Sequence, residues 1–514
     1  MIRWTSCAVA AAAVLVGVTA LPAQRRGHHG TLNGWRALVR SACSADQKYG
    51  DAADKFGRAL PEGTGAATEA QLFALAEAMR ESAAADGVML EDPSVPAGII
   101  FLGQFIDHDV TFDVLSQLGE ATDLAAIENF RTPRLDLDSC YRDGPEASPY
   151  LYDDHRQGHF LVGSAENPLD LPRNAQGRAL IGDPRNDENG IISQLHLLFL
   201  RFHNAVMAEV ERGRVTRGRR AQESDFDYAR RLVRWHYQWI VREEFLPTVV
   251  SGEVLRAAEA MIAAHDAYCA RPLLPVEFSA AAYRFGHSQV RSTYHLAPGR
   301  PAVDLFRPPA EALASFAPVP ATDAVDFDFF FAVAESAPQA AQRIDAHIAD
   351  EVYELPFASH RSPRDRSLPF RNLLRGAKTF NLASGEQAAQ FFGVPALSRH
   401  AAVNDAELDH TPLWFYCLQE AEANGGKLGP VGGRIVAMAI LRMLREDPES
   451  YPVRWGGAAA GAPEGGEPVD GDATGRATGS KRPASDRPAW RPFLGRAEGE
   501  FTMGDLVQYV RRSR

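Results

Sequence analysis

A mainly α fold, helical around one core and with few short strands, is predicted by three features of this 514-residue sequence. Long stretches carry apolar residues every three to four positions, alternating strand patterns are scarce, and Pro and Gly mark the connections between the periodic stretches. No internal repeat is visible. With 45% hydrophobic and 23% charged residues, the chain can bury one large core. Its net charge of -12 excludes the basic face needed to bind a phosphate backbone, so nucleic acid is not an expected partner.

Taken in order, residues 1–23 hold a lone Arg3, an apolar run and small residues at Ala20 and Ala23, the pattern of a secretory signal peptide. A short membrane anchor and a misplaced start codon are the alternatives, and export predicts a secreted or extracytoplasmic protein with no stable span after processing. Helical periodicity covers 69–82, 97–114, 191–212, 225–244, 252–267 and 431–444. Residues 456–488 are rich in Gly, Ala and Pro and poor in large apolar side chains, so they read as a disordered insert. Apolar periodicity returns at 501–511, and residues 489–514 are expected to pack back on a main domain spanning 24–455. Beyond Cys7, the cysteines Cys43, Cys140, Cys269 and Cys417 form no CxxC motif. Buried thiols are the plain reading, and export would permit one or two disulfides.

Three polar clusters interrupt the apolar pattern. In FLGQFIDHDVTFD, 101–113, helical spacing sets Gln104, Asp107 and His108 on one face, with Asp109 about 100° away. The surrounding Ile99, Ile100, Phe101, Leu102, Phe105 and Ile106 imply that this helix is buried, so its polar groups need partners. GDPRNDENG, 182–190, supplies Arg185 and Glu188 and alone reads as a turn and helix cap. YRFGHSQVR, 283–291, supplies His287, alone a structural histidine. A further acidic stretch, RTPRLDLDSCY at 131–141, alternates Asp136 with Asp138 and adds to Asp109 a third hard oxygen donor of the kind calcium takes.

Together, in this order and separation, the clusters resemble the animal haem peroxidases, the superfamily of myeloperoxidase, lactoperoxidase, peroxidasin and cyclooxygenase, from about His28 to the C-terminus and outside the insert. The likeness is to the peroxidase branch and its bacterial members. It implies a single large helical haem-peroxidase domain. His108 would be the distal base and Arg185 the distal arginine. His287 would ligate the haem iron, Asn372 in RNLLRG would accept a hydrogen bond from that imidazole, and Arg375 would pair with a propionate. Asp107 and Glu188 match the carboxylates that ester-link haem b. Asn189 stands where myeloperoxidase has a Met, so a sulfonium link is not expected. The calcium loop maps onto Asp109, Thr132, the carbonyl of Arg134, Asp136 and Asp138, with Asp138 replacing a hydroxyl residue. Gln104 falls near a halide position. The implied reaction is reduction of hydrogen peroxide through an oxyferryl intermediate, with halides, thiocyanate or small aromatic molecules as electron donors.

Those roles suit the chemistry. Splitting peroxide needs a neutral imidazole to carry a proton between oxygens and a permanent cation near the leaving oxygen. A fatty-acid dioxygenase of the cyclooxygenase or plant α-dioxygenase type is the nearest rival. It uses a tyrosine three residues before the proximal histidine, where this chain has Arg284, with Tyr283 one step off. A catalytically silent haem-binding module is the second rival, opposed by the retention of Gln104, His108, Arg185 and Asn372. His196 and His203 read as packed core residues, His28 and His29 as exposed N-terminal ones, and the acidic run 446–450 as a solvated helix end.

Overall fold

The computed structural model describes residues 56–83, 90–112, 118–124, 127, 129–264, 274–305, 316–355, 361–451 and 490–513. The leader at 1–23, the His28–His29 pair, Cys7, Cys43, Cys269 and the insert at 456–488 lie outside the described residues.

The strands are short and form three two-stranded sheets among the described residues. β1 (Phe56–Gly57) pairs in parallel with β3 (Leu274–Pro275). β2 (Glu91–Pro96) pairs antiparallel with β6 (Ala340–Gln342), and β4 (Thr293–Tyr294) antiparallel with β5 (Val303–Asp304). Helices make the rest of the framework. α1 (Glu69–Ala78) begins at a capping box in which Thr68 and Gln71 satisfy each other's main-chain N–H. It stops short of residue 82, since 81–83 tighten into a 3₁₀ turn.

α2 (Gly98–Val110) starts where only glycine fits. A Cβ on Gly98 would strike the Phe330 carbonyl and the Phe331 ring. It ends because Thr111 is extended. α3 (Gly190–Glu211), capped by Asn189, runs for 22 residues, about 33 Å. α4 (Asp225–Trp239) is capped by Ser224 and passes into a π-helical turn at Ile240–Phe245 rather than continuing as α-helix to 244. Pro247, next in line, has no N–H with which to hold the α register. α5 (Gly252–Ala263), α6 (Leu368–Leu374), α7 (Leu413–Ala423) and α8 (Gly432–Glu446) follow, and α9 (Met503–Arg512) closes the described chain.

α8 is buried along most of its length against α5, α7 and the turn Ala282–His287. The junction of α2, α3 and α4 is aromatic. Phe105 stacks on Phe199 at 4.6 Å and meets the Tyr237 ring edge-on at 6.1 Å. Each such fully buried ring contributes about 1.5–3 kcal/mol of burial, enough to hold α2 rigidly behind its polar face. α9 lies on α3, where Phe501 stacks on Phe202, and its first N–H donates to Glu244 Oε2 at 2.8 Å. Cys140 and Cys417 are buried, unpaired thiols. Among the described residues no helix is long and apolar enough to cross a membrane.

The acidic run 446–450 is a solvated helix end only in part, with Glu446 and Pro448 exposed and Glu449 half-buried. Asp447 is buried between Arg134 and Arg234, at 3.3 and 3.4 Å, and Ser450 is fully buried. Two arginines from distant segments supply the countercharge that solvent would otherwise give.

Candidate active site

His108 projects from the buried face of α2. Its Nδ1 lies 2.8 Å from Asn186 Oδ1, and an amide oxygen can only accept, so Nδ1 carries the proton. Nε2 has no hydrogen-bond partner among the described residues and is the basic nitrogen. Burial first, then the Arg185 charge, lowers this imidazole to about 4, which keeps it neutral at rest.

Arg185 sits in the 3₁₀ turn Pro184–Asp187, capped by Asp183, whose carboxylate accepts the Arg185 main-chain N–H at 2.9 Å. The same carboxylate takes Nε at 3.1 Å and Nη2 at 2.9 Å, while Nη2 also reaches the His108 and Thr111 carbonyls at 2.9 and 2.6 Å. Phe112 lies under the guanidinium, 4.6 Å from its centre. Nη1 is left uncommitted among the described residues. His108 and Arg185 are therefore brought together by direct contact between α2 and the 182–190 loop.

Glu188 and Asp107 flank the same place. Burial pushes the Glu188 carboxyl up to about 7, against the pull of Arg185. Asp107 Oδ1 accepts from the Thr111 hydroxyl at 2.8 Å. Asn189 caps α3 through its side-chain oxygen, and its Nδ2 lies 3.4 Å from Gln104 Oε1. This turns the Gln104 amide nitrogen outward from that pair.

On the other side, the turn Ala282–His287 packs against α2, α7 and α8. Tyr283 anchors it by donating to the Gly103 carbonyl of α2 at 3.2 Å, and Trp414 Nε1 donates to the Arg284 carbonyl at 3.1 Å. His287 Nδ1 is 2.8 Å from the Asn372 side chain on α6. The expected direction, ring N–H to amide oxygen, is reversed. Arg284 Nη1 takes Asn372 Oδ1 at 3.2 Å, and because a guanidinium only donates, the amide nitrogen is what faces His287. Burial and then Arg284 lower this imidazole to about 3. Its Nε2, like that of His108, has no partner among the described residues. Arg375 opens a π turn directly after α6, and burial together with Arg361 and Arg375 lowers the neighbouring Arg371 to about 10. A groove lined by Ala67, Asn372, Leu382, Leu408 and Trp414 has neither His108 nor His287 in its lining.

The acidic loop gathers its carboxylates but not in a ligand arrangement. Leu135 and Leu137 adopt left-handed φ of 48° and 59° while burying their side chains completely, and Asp136 between them is half-buried. Asp109 is fully buried and accepts the N–H groups of Leu137 and Ser139 at 3.1 and 3.3 Å. Asp136 accepts the Thr132 hydroxyl at 2.8 Å, and Asp138 pairs with Arg131 at 2.9 Å. Arg134 sends its side chain to Asp447. Among the described residues no group of three or more His, Cys, Asp or Glu forms a metal-ligand set. Burial and the mutual repulsion of the aspartates lift Asp109 to about 8 and Asp136 to about 6.

The family model described as animal haem peroxidase matches residues 129–447, well over half of the chain. The chain belongs to the animal haem peroxidase family. Within it, chorion peroxidase of Drosophila melanogaster is 24% identical over 320 residues, 57% of this chain and 37% of that protein. Heme peroxidase 2 of Caenorhabditis elegans is 25% identical over 209 residues, 39% of this chain and 28% of that one. The chain thus spans well under half the length of these relatives. Peroxidase A of Dictyostelium discoideum shares the fold with a TM-score of 0.52 at 14% identity, covering 78% of this chain and 89% of that one. A fatty acid alpha-dioxygenase of Arabidopsis thaliana shares it with a TM-score of 0.51 at 15% identity, covering 77% and 72%.

Asp183, in sequence only a turn signal, holds Arg185, and Arg284, in sequence only the residue standing in place of a tyrosine, holds Asn372; Arg131 and Asn186 gave no signal of their roles. A charged pair two residues apart, Asp183 with Arg185, was an available hint. Asn186 and His108 are 78 positions apart, so nothing local pairs them. His196 and His203 are fully buried in the core as read, yet both carry hydrogen bonds: His203 to Tyr141 and Gly158, His196 to Asn186.

The two histidines fit haem by the chemistry of their donors. His108 holds its proton on Nδ1 against Asn186 and leaves Nε2 bare, as a distal base requires; His287 also leaves Nε2 uncommitted, and ligating iron there needs the Asn372 amide to turn its oxygen toward Nδ1 so that the ring proton sits on that nitrogen.

Proposed function

We propose that this chain is a haem-dependent peroxidase that reduces hydrogen peroxide and oxidises halides, thiocyanate or small aromatic donors. The observation that carries this reading is the neutral His108, with Nδ1 tied and Nε2 uncommitted, bonded through its carbonyl to Arg185.

His287 would ligate the iron, with Arg375 and the adjacent Arg371 charge offering a propionate partner, and with Asp107 and Glu188 as ester-forming carboxyls. Bound haem supplies the iron at which the peroxide oxygen–oxygen bond breaks. His108 Nε2 takes the proton from one peroxide oxygen and returns it to the other, which leaves as water. The uncommitted Nη1 of Arg185 donates to the leaving oxygen as charge grows on it. Proton transfer of this kind contributes roughly 10²–10⁴-fold and a fixed donor roughly 10²–10³-fold. Gln104 leaves its amide nitrogen for a small anion, which favours halide or thiocyanate as electron donor. Calcium in the loop formed by Asp109, Thr132, the Arg134 carbonyl, Asp136 and Asp138 would relieve the repulsion that raises two of these carboxyls. We further propose export directed by residues 1–23, and a peroxidase domain spanning 24–455.

The dioxygenase alternative lacks its tyrosine. Arg284 holds that position and is committed to Asn372, and the Tyr283 phenol is committed to Gly103. The test is rapid mixing of the haem-loaded chain with peroxide, wild type against His108→Ala and Arg185→Ala. Fast Soret bleaching in wild type, reversed by bromide or iodide, with both variants slowed by at least about 10²-fold, is the expected result. A wild type as slow as its variants defeats the reading.

A further inference from the structure

Asn186 and His196 stand behind His108 without a role in the reading above. Asn186 is fully buried, and its side chain bridges two imidazoles. Oδ1 lies 2.8 Å from His108 Nδ1, and Nδ2 lies 2.9 Å from His196 Nδ1. His196 is itself fully buried, its Nδ1 also faces the Cys140 thiol at 4.0 Å, and its Nε2 has no hydrogen-bond partner.

The amide is polar end to end, so one end decides the other. While Nδ2–H donates to His196 Nδ1, Oδ1 must face His108, and His108 must then carry its proton on Nδ1. Turned over, the amide would present Nδ2–H to His108 Nδ1. That nitrogen would have to accept, and the His108 proton would move to Nε2, the atom that peroxide chemistry needs bare. The turned arrangement would put Oδ1 against His196 Nδ1, which would then have to carry a proton and could no longer accept from the Cys140 thiol that faces it. His196 Nδ1 is thus the group that selects between two arrangements of similar hydrogen-bond number.

We propose that Asn186 is a positioning residue that sets the tautomer of His108, and that His196 acts through Asn186 to hold it there. The inference rests on the peroxidase reading and deepens it. His196, which is hydrogen-bonded to Asn186 and not to His108, becomes part of how the distal base is kept in its basic form rather than a packing residue.

The experiment uses the full haem-loaded chain and two readouts that do not depend on turnover. One is the rate of cyanide binding to the ferric protein, because hydrogen cyanide must give its proton to His108 Nε2. The other is the carbon–oxygen stretch of the ferrous carbon monoxide complex, which senses whether Nε2 presents a lone pair or an N–H. Wild type should give a single stretch. Asn186→Leu should give a second band at lower frequency and bind cyanide roughly 10²-fold more slowly. Asn186→Asp, which keeps the acceptor toward His108, should restore the single band and most of the rate. His196→Phe should behave between wild type and Asn186→Leu.

Wild-type cyanide kinetics and a single unshifted band in both Asn186→Leu and His196→Phe overturn the proposal. If Asn186→Leu fails to take up haem, the Asn186→Asp and His196→Phe pair decides by the same criteria. The peroxidase reading fails differently. In that case the wild type itself shows no rapid reaction with peroxide, and this inference falls with it.

Discussion

Asp183 holds Arg185 at three points, accepting its main-chain N–H at 2.9 Å and its Nε and Nη2 at 3.1 and 2.9 Å. From the other side Arg131 donates Nε and Nη2 to the same carboxylate at 3.0 and 2.6 Å, and its Nη1 reaches Asp138 in the acidic loop at 2.9 Å. A buried chain of alternating charge therefore runs from the acidic loop to the candidate distal arginine. Burial alone would push the Asp183 carboxyl up. Arg131 and Arg185 overcome that and hold it well below the usual carboxylate range.

Removing that one negative charge strands the buried Arg185 guanidinium and leaves Arg131 with Asp138 as its remaining countercharge. Asp183→Asn is expected to destabilise the fold by about 3–5 kcal/mol, read as a lower urea midpoint, and to slow the reaction with peroxide as Arg185 loses its orientation. A variant with wild-type unfolding and wild-type peroxide kinetics would show that the ion chain contributes neither stability nor alignment.

Haem should become covalently attached through Asp107 and Glu188 once the loaded protein meets peroxide. Acidified organic extraction is then expected to leave haem on the wild-type chain and to release it fully from the Asp107→Asn, Glu188→Gln double variant. Complete release from peroxide-treated wild type would rule out the ester links.

Resemblance of the acidic loop to the family's calcium loop leads us to propose a bound calcium ion, which would have to draw Asp138 from its pair with Arg131. Elemental measurement on the purified chain should find about one calcium per molecule, and chelation should lower activity because Asp109 adjoins His108. In Asp136→Ala both the metal and the chelator sensitivity should be gone. Full turnover by protein shown to be calcium-free would contradict the prediction.

A pH effect on stability follows from the core. Burial lowers the His236 imidazole to about 4, against an ordinary value near 6.5. Between those values the unfolded chain binds the proton and the folded chain does not. The contribution is therefore complete above pH 6.5 and is drawn down as pH falls toward 4, at about 1.4 kcal/mol per unit and about 3 kcal/mol in all. His236→Phe keeps the aromatic contacts with Phe501 and Trp490 and removes the titration. Its stability relative to wild type should rise by that amount between pH 7.5 and 4 in urea unfolding. A gap that does not change with pH would refute the assignment.

Much of this was written locally. The apolar periodicity of 97–114 and 191–212 specified two helices, which form at Gly98–Val110 and Gly190–Glu211, because a face that repeats every turn has to meet another such face. Asp183 followed by Pro184 announced the turn at the start of the 182–190 loop. Gln104, Asp107 and His108 were placed on one face by helical spacing alone. Family resemblance, read from the order of the motifs, then paired positions that periodicity could not.

Tertiary structure decided the polarity of the site. Whether Asn372 offers oxygen or nitrogen to His287 depends on Arg284 reaching across 88 positions of sequence, and whether His108 carries its proton on Nδ1 depends on Asn186 and His196. It also decided that Asp138 meets Arg131 and that Asp447 is buried. The division has a physical cause. Periodicity and capping are set by neighbours along the chain, whereas a hydrogen bond's direction and a buried charge's partner are set by whichever groups packing brings within 3 Å, and nothing local records those.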